Sequence, residues 1–376
     1  MRARASLLVA AVLGAGCFAP VVEGPRDGGS GGGTGGSGGS AGGGTGGSSA
    51  GGGFAPGGAG GGAIAGAWVA RAPLKFARAE FATAVHDGLI YVFGGTTGST
   101  VGTVEVYDPA VNQWALAKSM PTPRRMAIAA TLGPRIYVVG GFKADENLNQ
   151  LTYTNVTEAY EPATNTWTTL APPPFPVAFN TVLGNQFEAG AVLGGKLRVL
   201  LFDTQGNKAF DFDPAMNTWT EVQPPAPMID SVQVAVSAGT LYAIGGGRRM
   251  GTGGDFTRLA SGPPDFWTNL TPLRPASSGG SLVRRECVAL VGTANAVAAL
   301  GGSVHDYNQG MPTVVSAVDV FDPASLTWKS GPPLAHARQS LGAVAIGNTI
   351  YAIGGTTAPD ATEIVPVPWV EAFTLP

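Results

Sequence analysis

Short apolar runs that end in paired glycines punctuate the chain. They are Ile90-Tyr91-Val92-Phe93-Gly94-Gly95, Ile136-Tyr137-Val138-Val139-Gly140-Gly141, Leu241-Tyr242-Ala243-Ile244-Gly245-Gly246, Val297-Ala298-Ala299-Leu300-Gly301-Gly302 and Ile350-Tyr351-Ala352-Ile353-Gly354-Gly355. Arg198-Val199-Leu200-Leu201-Phe202-Asp203 is a sixth, degenerate copy. Each run has the length and β-branched or aromatic content of a strand. After a variable stretch comes a second run that closes on an acid and a proline: Val104 to Pro109, Thr157 to Pro162, Ala209 to Pro214 and Val318 to Pro323. A tryptophan follows within a few residues, at Trp114, Trp167, Trp219 and Trp328; Trp267 marks the fourth unit, which lacks the Asp-Pro. Turn residues precede the first run at Asp87-Gly88, Gly194-Gly195, Ala238-Gly239 and Gly347-Asn348, so each unit starts with a hairpin.

The unit recurs with a period of about fifty residues. Gly-Gly, then Tyr-Asp-Pro, then Trp resembles the kelch repeat. The resemblance runs over nearly all of residues 68–376. It implies an all-β fold, a six-bladed kelch β-propeller with four strands a to d per blade. A blade alone exposes two apolar faces, and only a closed ring buries them all. Closure has its own signature. Val370-Glu371-Ala372-Phe373 matches strand c of the first unit, yet no tryptophan strand follows it, while Trp68 stands alone before the first unit. The Trp68 strand is therefore expected to become the outer strand of blade six.

Composition divides the chain in two. Of 58 glycines, 23 fall within the 39 residues from Gly28 to Gly66, a stretch that cannot bury a core. Residues 67–376 form the globular body. Met1–Arg4 is short and basic, and Ala5–Gly16 is apolar but too short to cross a bilayer, as in a secretory signal peptide over residues 1–16. Leu13-Gly14-Ala15-Gly16-Cys17 resembles a bacterial lipobox, which implies acylation of Cys17 and a lipid-anchored, Gly/Ser-rich tether over residues 17–66. The alternative is cleavage near Ala15 with an unmodified cysteine. Anchoring implies an exported, outer-membrane lipoprotein, periplasmic or at the cell surface, touching the membrane through its lipid alone.

Charge and cysteine content remove other classes. Charged residues make up 12 % of the chain and the net charge is −3, so there is no basic excess for nucleic acid. Two cysteines support neither a disulfide framework nor a cysteine zinc site. Neither cofactor nor metal is expected, and a monomer is. Cys287 reads as a buried small hydrophobe and the tryptophans as core.

Strands that run up and down put the d–a and b–c connections on one face. The b–c loops are long and variable: 96–103, 142–156, 247–256, 303–317 and 356–369. Such loops on a rigid scaffold are where binding sits. Sixteen residues before the first glycine of each pair stand Arg78, Arg124, Gln186, Ile229, Arg285 and Arg338. Four arginines converging on a channel mouth would attract a carboxylate or another anion; alternatively, each pairs with neighbouring carbonyls or carboxylates. Glu80, Glu188, Asp230 and Glu286 are the nearby acids. His305-Asp306-Tyr307 and His336 lie on the same face, and His86 on the other. The expected ligand site is Arg78, Arg124, Arg285, Arg338, Glu188 and His336, with catalytic residues unassigned.

Two functional classes follow, beside a third reading as a structural envelope protein with no small ligand. One is a non-catalytic interaction module that takes a protein or an anionic carbohydrate. The other is an enzyme. Galactose oxidase, a kelch-like copper enzyme, needs a set of histidines, tyrosines and a tyrosine–cysteine link that three histidines cannot assemble. N-acetylneuraminate epimerase, a sialic acid mutarotase, is a six-bladed kelch propeller that handles an anionic sugar; here Glu188 or Glu80 beside the arginines would transfer the proton.

Overall fold

The computed structural model describes residues 63–145, 150–174, 187–202, 208–224, 233–245, 255–260, 266–271, 273, 284–305, 312–358 and 364–376. The expected signal sequence, Cys17, most of the expected tether, Gln186, Ile229, Asp230, Asp306 and Tyr307 lie outside the described residues. Every regular element described is a strand.

The first strand, β1 (Val69–Ala70), belongs to the ring closure. Blade one is β2 (Ala82–His86), β3 (Leu89–Phe93), β4 (Val104–Asp108) and β5 (Gln113–Ala117). Next come β6 (Ile128–Leu132), β7 (Arg135–Val139), the hairpin β8 (Phe142–Asp145) and β9 (Gln150–Tyr153), then β10 (Thr157–Glu161) and β11 (Thr166–Thr169). Blade two is made of β6, β7, β10 and β11, and the hairpin is its b–c connection. Blade three is β12 (Phe187–Leu193), β13 (Lys196–Phe202), β14 (Lys208–Asp213) and β15 (Thr218–Val222). Blade four is β16 (Gln233–Ser237), β17 (Thr240–Gly245), β18 (Asp255–Ala260) and β19 (Phe266–Leu270).

The fifth unit runs β20 (Arg284–Glu286), β21 (Ala289–Gly292), β22 (Val297–Leu300), β23 (Ser303–His305), β24 (Thr313–Val314), β25 (Val318–Asp322) and β26 (Thr327–Ser330). Its blade is β21, β22, β25 and β26; the other three strands form a small sheet beside it. Blade six is β27 (Gly342–Ile346), β28 (Thr349–Ile353), β29 (Val370–Thr374) and, as its outer strand, β1. All pairings in these sheets are antiparallel, and Val69 faces Ala372 while Ala70 faces Glu371. The ring is a six-bladed β-propeller closed by its N-terminal strand.

Burial explains the strand chemistry. Strand b lies between two neighbouring blades, so Ile90, Tyr91, Val92 and Phe93 are all buried, whereas β5 at the rim buries only Trp114. Six apolar clusters result, one at each seam. The closing seam joins Tyr351, Ile353 and Val370 of blade six to Ile90, Tyr107 and Trp114 of blade one.

The tryptophans also bind blades to one another. Trp114 Nε1 donates to the Ala72 carbonyl at 2.8 Å, Trp167 to Lys118 at 2.9 Å, Trp219 to Ala171 at 3.1 Å and Trp328 to Thr271 at 3.0 Å. Each acceptor lies just beyond the outer strand of the preceding blade. Trp68 does the same for blade six, to Pro332 at 2.8 Å, and packs on Phe373. An indole buries a large apolar area and needs one acceptor for its N–H, so one side chain serves both core and seam.

The paired glycines sit where the next blade crosses. Gly94 and Gly95 have φ of 62° and 93°, a region that favours glycine. A Cβ on Gly94 would run into the Arg124 carbonyl, and one on Gly95 would stand 2.6 Å from the Ala79 carbonyl. The Gly95 N–H donates to Arg124 O at 3.0 Å; Gly302 and Gly355 repeat the contact with Arg338 O and Arg78 O.

Candidate functional site

These backbone contacts fix the d–a loops, and with them the arginines. Arg78 is fully buried. It donates to Glu105 Oε1 at 2.7 Å and to the carbonyls of Gly94 and Thr103 at 2.9 and 3.1 Å. The same carboxylate accepts the Lys75 N–H at 2.7 Å, so it clamps loop and strand together. Arg124 pairs with Glu158 at 2.6 Å, and Thr122 Oγ1 donates to that carboxylate at 2.8 Å. Arg285 pairs with Asp319, and its other nitrogens donate to the carbonyls of Gly301, Ala299 and Ala317. Arg338 pairs with Glu371 at 2.7 Å, which also accepts the Ala335 N–H at 3.0 Å. Burial lowers the pKa of Arg78, Arg285 and Arg338, while the paired carboxylate holds each one up.

This corrects the expectation of an anion site built from the four arginines. Their guanidiniums are enclosed within single blades, between strands b and c, and their charge is met by a carboxylate on strand c. An anion would have to displace a buried partner. The acid is the second residue of each strand-c run, so the pairing has a sequence signal: Glu105, Glu158, Asp319 and Glu371 accompany the arginines. In blade four Thr257 faces Ala243 at the same register as Glu105 facing Val92, and Ile229 replaces the arginine. Arginine and acid are lost together.

Blade three requires a second correction. Val199 faces Phe210 and Ala189 faces Leu200, so Leu201-Phe202, not Phe202-Asp203, stands at the Gly-Gly position. Phe210 takes the acid position, and counting sixteen residues back from Leu201 gives Asn185 rather than Gln186, both outside the described residues. Glu188 shifts one place along β12, level with Phe81 rather than with Glu80.

Two residues beyond each arginine the chain turns left-handed without glycine, at Glu80 (φ 58°), Met126 (58°), Cys287 (57°) and Ser340 (51°). Each such residue carries a strain of about 1–3 kcal/mol. The strain is shared with inter-blade bonds: the Glu80 N–H donates to Ser340 O at 3.3 Å, and the Met126 N–H to Glu80 O at 2.7 Å. These residues belong to the innermost loop-to-strand turns, around the channel mouth on the long-loop face.

In that ring Glu80 is buried, and its Oε2 lies 3.2 Å from Arg125 Nη1 of blade two. Burial pushes the Glu80 carboxyl up to about 7, and Arg125 pulls the other way. Arg125 was missed in the sequence because it follows Arg124 directly, and spacing to Gly-Gly selects only the first. Among the other expected residues, His336 is exposed and packs on Trp369, ring centroids 4.2 Å apart. Its carbonyl accepts from Arg338 at 3.3 Å. Glu286 is half-buried on β20, His305 lies on β23, and Cys287 is buried. No group of three or more histidine, cysteine or acidic residues able to hold a metal occurs among the described residues.

The fold and this repeated brace define a class, the six-bladed β-propellers. More particularly, the chain is similar to kelch-repeat proteins: the Kelch motif family model matches residues 77–121 and 123–174. It is 30 % identical over 205 residues to Kelch-like protein terF of Aspergillus terreus, covering 48 % of this chain and 41 % of that protein. It is 23 % identical over 281 residues to Kelch-like protein 23 of Homo sapiens, covering 73 % and 45 %. The matches span less than half the length of these curated relatives. The solved structure of YjhT aligns with a TM-score of 0.64 at 16 % identity, covering 81 % of this chain and 96 % of that one.

Proposed function

We propose that this protein is a tethered interaction module that binds its partner on the d–a and b–c loop face, around the channel mouth. One observation carries the reading. The short turns of the opposite face repeat from blade to blade, whereas the long-loop face varies and carries exposed aromatic groups, Phe76 at 44 % exposure and His336 against Trp369. Aromatic side chains presented on a rigid scaffold are typical binding anchors. A protein partner fits best, and an anionic carbohydrate is the narrower possibility. Export and acylation at Cys17 complete the proposal, with the glycine tract as a flexible leash.

The test compares faces. Candidate envelope proteins and a glycan panel are screened against the purified protein and against two variants, Phe76→Ala/Trp369→Ala on the long-loop face and Val111→Ala/Met216→Ala in the exposed c–d turns of the opposite face. Loss of a wild-type ligand in the first alone supports the long-loop face. Equal loss in both, or loss in the second alone, overturns it.

A second reading, a sialic-acid-mutarotase-like enzyme, draws support from one observation, the Glu80 carboxyl held near neutrality beside Arg125. A general acid–base works best with its pKa near ambient pH. Anomer exchange of N-acetylneuraminate, followed by nuclear magnetic resonance, should be accelerated by the wild type and not by Glu80→Gln. No acceleration by the wild type eliminates this reading.

A further inference from the structure

We propose that Arg125 anchors a carboxylate-binding site at the channel mouth, exchanging its contact with Glu80 for the carboxylate of an anionic ligand. The inference rests on the long-loop face being the ligand face and gives that face a chemistry.

Arg125 differs from the four brace arginines in every relevant respect. Its side chain is 13 % exposed, whereas those of Arg78, Arg124 and Arg338 are 0 % exposed. Its carboxylate comes from the neighbouring blade rather than from its own. The contact is a 3.2 Å ion pair in which Glu80 Oε2 accepts no hydrogen bond, and Arg125 Nε also lacks a partner among the described residues. A guanidinium has five N–H donors in a fork that fits a carboxylate bidentately, and here the fork is held by backbone pairing of Arg125 with Phe142 on both sides. The donors are positioned, partly accessible and poorly used.

Proton balance gives the proposal a signature. Among the described residues the charge acting on Glu80 is that of Arg125 from blade two, while Arg78–Glu105, Arg124–Glu158 and Arg338–Glu371 are each paired within their own blade. When a ligand carboxylate takes Arg125, Glu80 loses its only counter-charge in the described surroundings and takes a proton from solvent. Above about pH 7, where Glu80 is ionised in the free protein, one proton is taken up per ligand. Affinity then falls about tenfold per pH unit.

The test is calorimetric titration of the purified full-length protein with acetate, with N-acetylneuraminate and with the neutral sugar N-acetylmannosamine. It is run at pH 6, 7 and 8 in buffers of different ionisation enthalpy. The wild type should bind the carboxylates at least tenfold more tightly than the neutral sugar, weaken from pH 7 to 8 and take up a proton. Arg125→Gln should lose at least tenfold in carboxylate affinity, and Arg125→Lys should recover part of it. Glu80→Gln should keep binding and lose both pH dependence and proton uptake, which a purely structural role would not produce. The proposal is overturned by no saturable carboxylate binding, by equal binding of the neutral sugar, by unchanged affinity in Arg125→Gln at an unchanged melting temperature, or by a flat wild-type profile from pH 6 to 8. If Phe76→Ala/Trp369→Ala abolishes partner binding while no carboxylate binds, the face stands and the anchor falls.

Discussion

At the residue scale the brace is a buried ion pair whose value depends on what replaces it. Removing one partner leaves a charge without a counter-charge, so Arg78→Ala or Glu105→Ala should each cost about 3–5 kcal/mol. Blade three carries Phe210 at the acid position, and the count along the sequence gives Asn185 for the arginine. The double variant Arg78→Asn/Glu105→Phe should therefore lose less than the sum of its single changes, read as a coupling energy in urea unfolding. The arginines were legible in the sequence because Gly-Gly fixes their register. Pairing with neighbouring carbonyls or carboxylates was one of the two readings the sequence offered; the particular acids were not legible, because they lie on strand c, beyond a loop of variable length. Glu80 sets a pH dependence of stability. Its carboxyl titrates at about 7 in the fold against 4.5 as the ordinary value, so between these values the native state holds the extra proton. Stability should fall as pH rises from about 4.5 to 7, by about 3 kcal/mol in all. Glu80→Gln should flatten that fall in melting temperatures taken from pH 4.5 to 8.

At the element scale each blade is a local meander, and its strands were legible because turn, Gly-Gly and Trp mark their ends. The exception was strand b of blade three, where Leu201-Phe202 stands in place of the glycines. Without them the count slipped by one and misplaced both Gln186 and Glu188. The Gly-Gly contact predicts a sharp penalty: in Gly94→Ala the new methyl meets the Arg124 carbonyl at a positive φ. A loss of several kcal/mol, at the upper end of single-substitution effects, should appear in thermal melts. Trp114→Phe removes the N–H donor to Ala72 together with part of the buried indole, so a loss of about 1–3 kcal/mol is expected.

At the scale of the whole molecule, six seams share the apolar burial, and the closing one joins residues from opposite ends of the chain. The segment leading into β1 laces three blades: the Ile64 N–H reaches Ser330 O in blade five, Arg71 N–H reaches Val370 O in blade six, and Ala72 O accepts from Trp114 in blade one. Gly66, the last glycine of the tract, lies against Phe373, and a Cβ there would come within 2.5 Å of the ring. Deleting residues 67–73 should lower the melting temperature sharply; an unchanged melt would deny the closure its role in stability. The orphan Trp68 and the last unit's missing tryptophan strand made this closure legible in the sequence. The reach of Ile64 to Ser330 in blade five was not legible, since that contact joins two backbone groups that leave no mark in residue type.

The closure also sets an order of assembly. Five blades can each condense from a contiguous stretch as it is synthesised. The sixth cannot, because β1 has no strand to join until β29, some three hundred residues later, has emerged. The earliest strand of the propeller therefore waits for nearly the whole chain, and the finished ring reports that both ends have arrived.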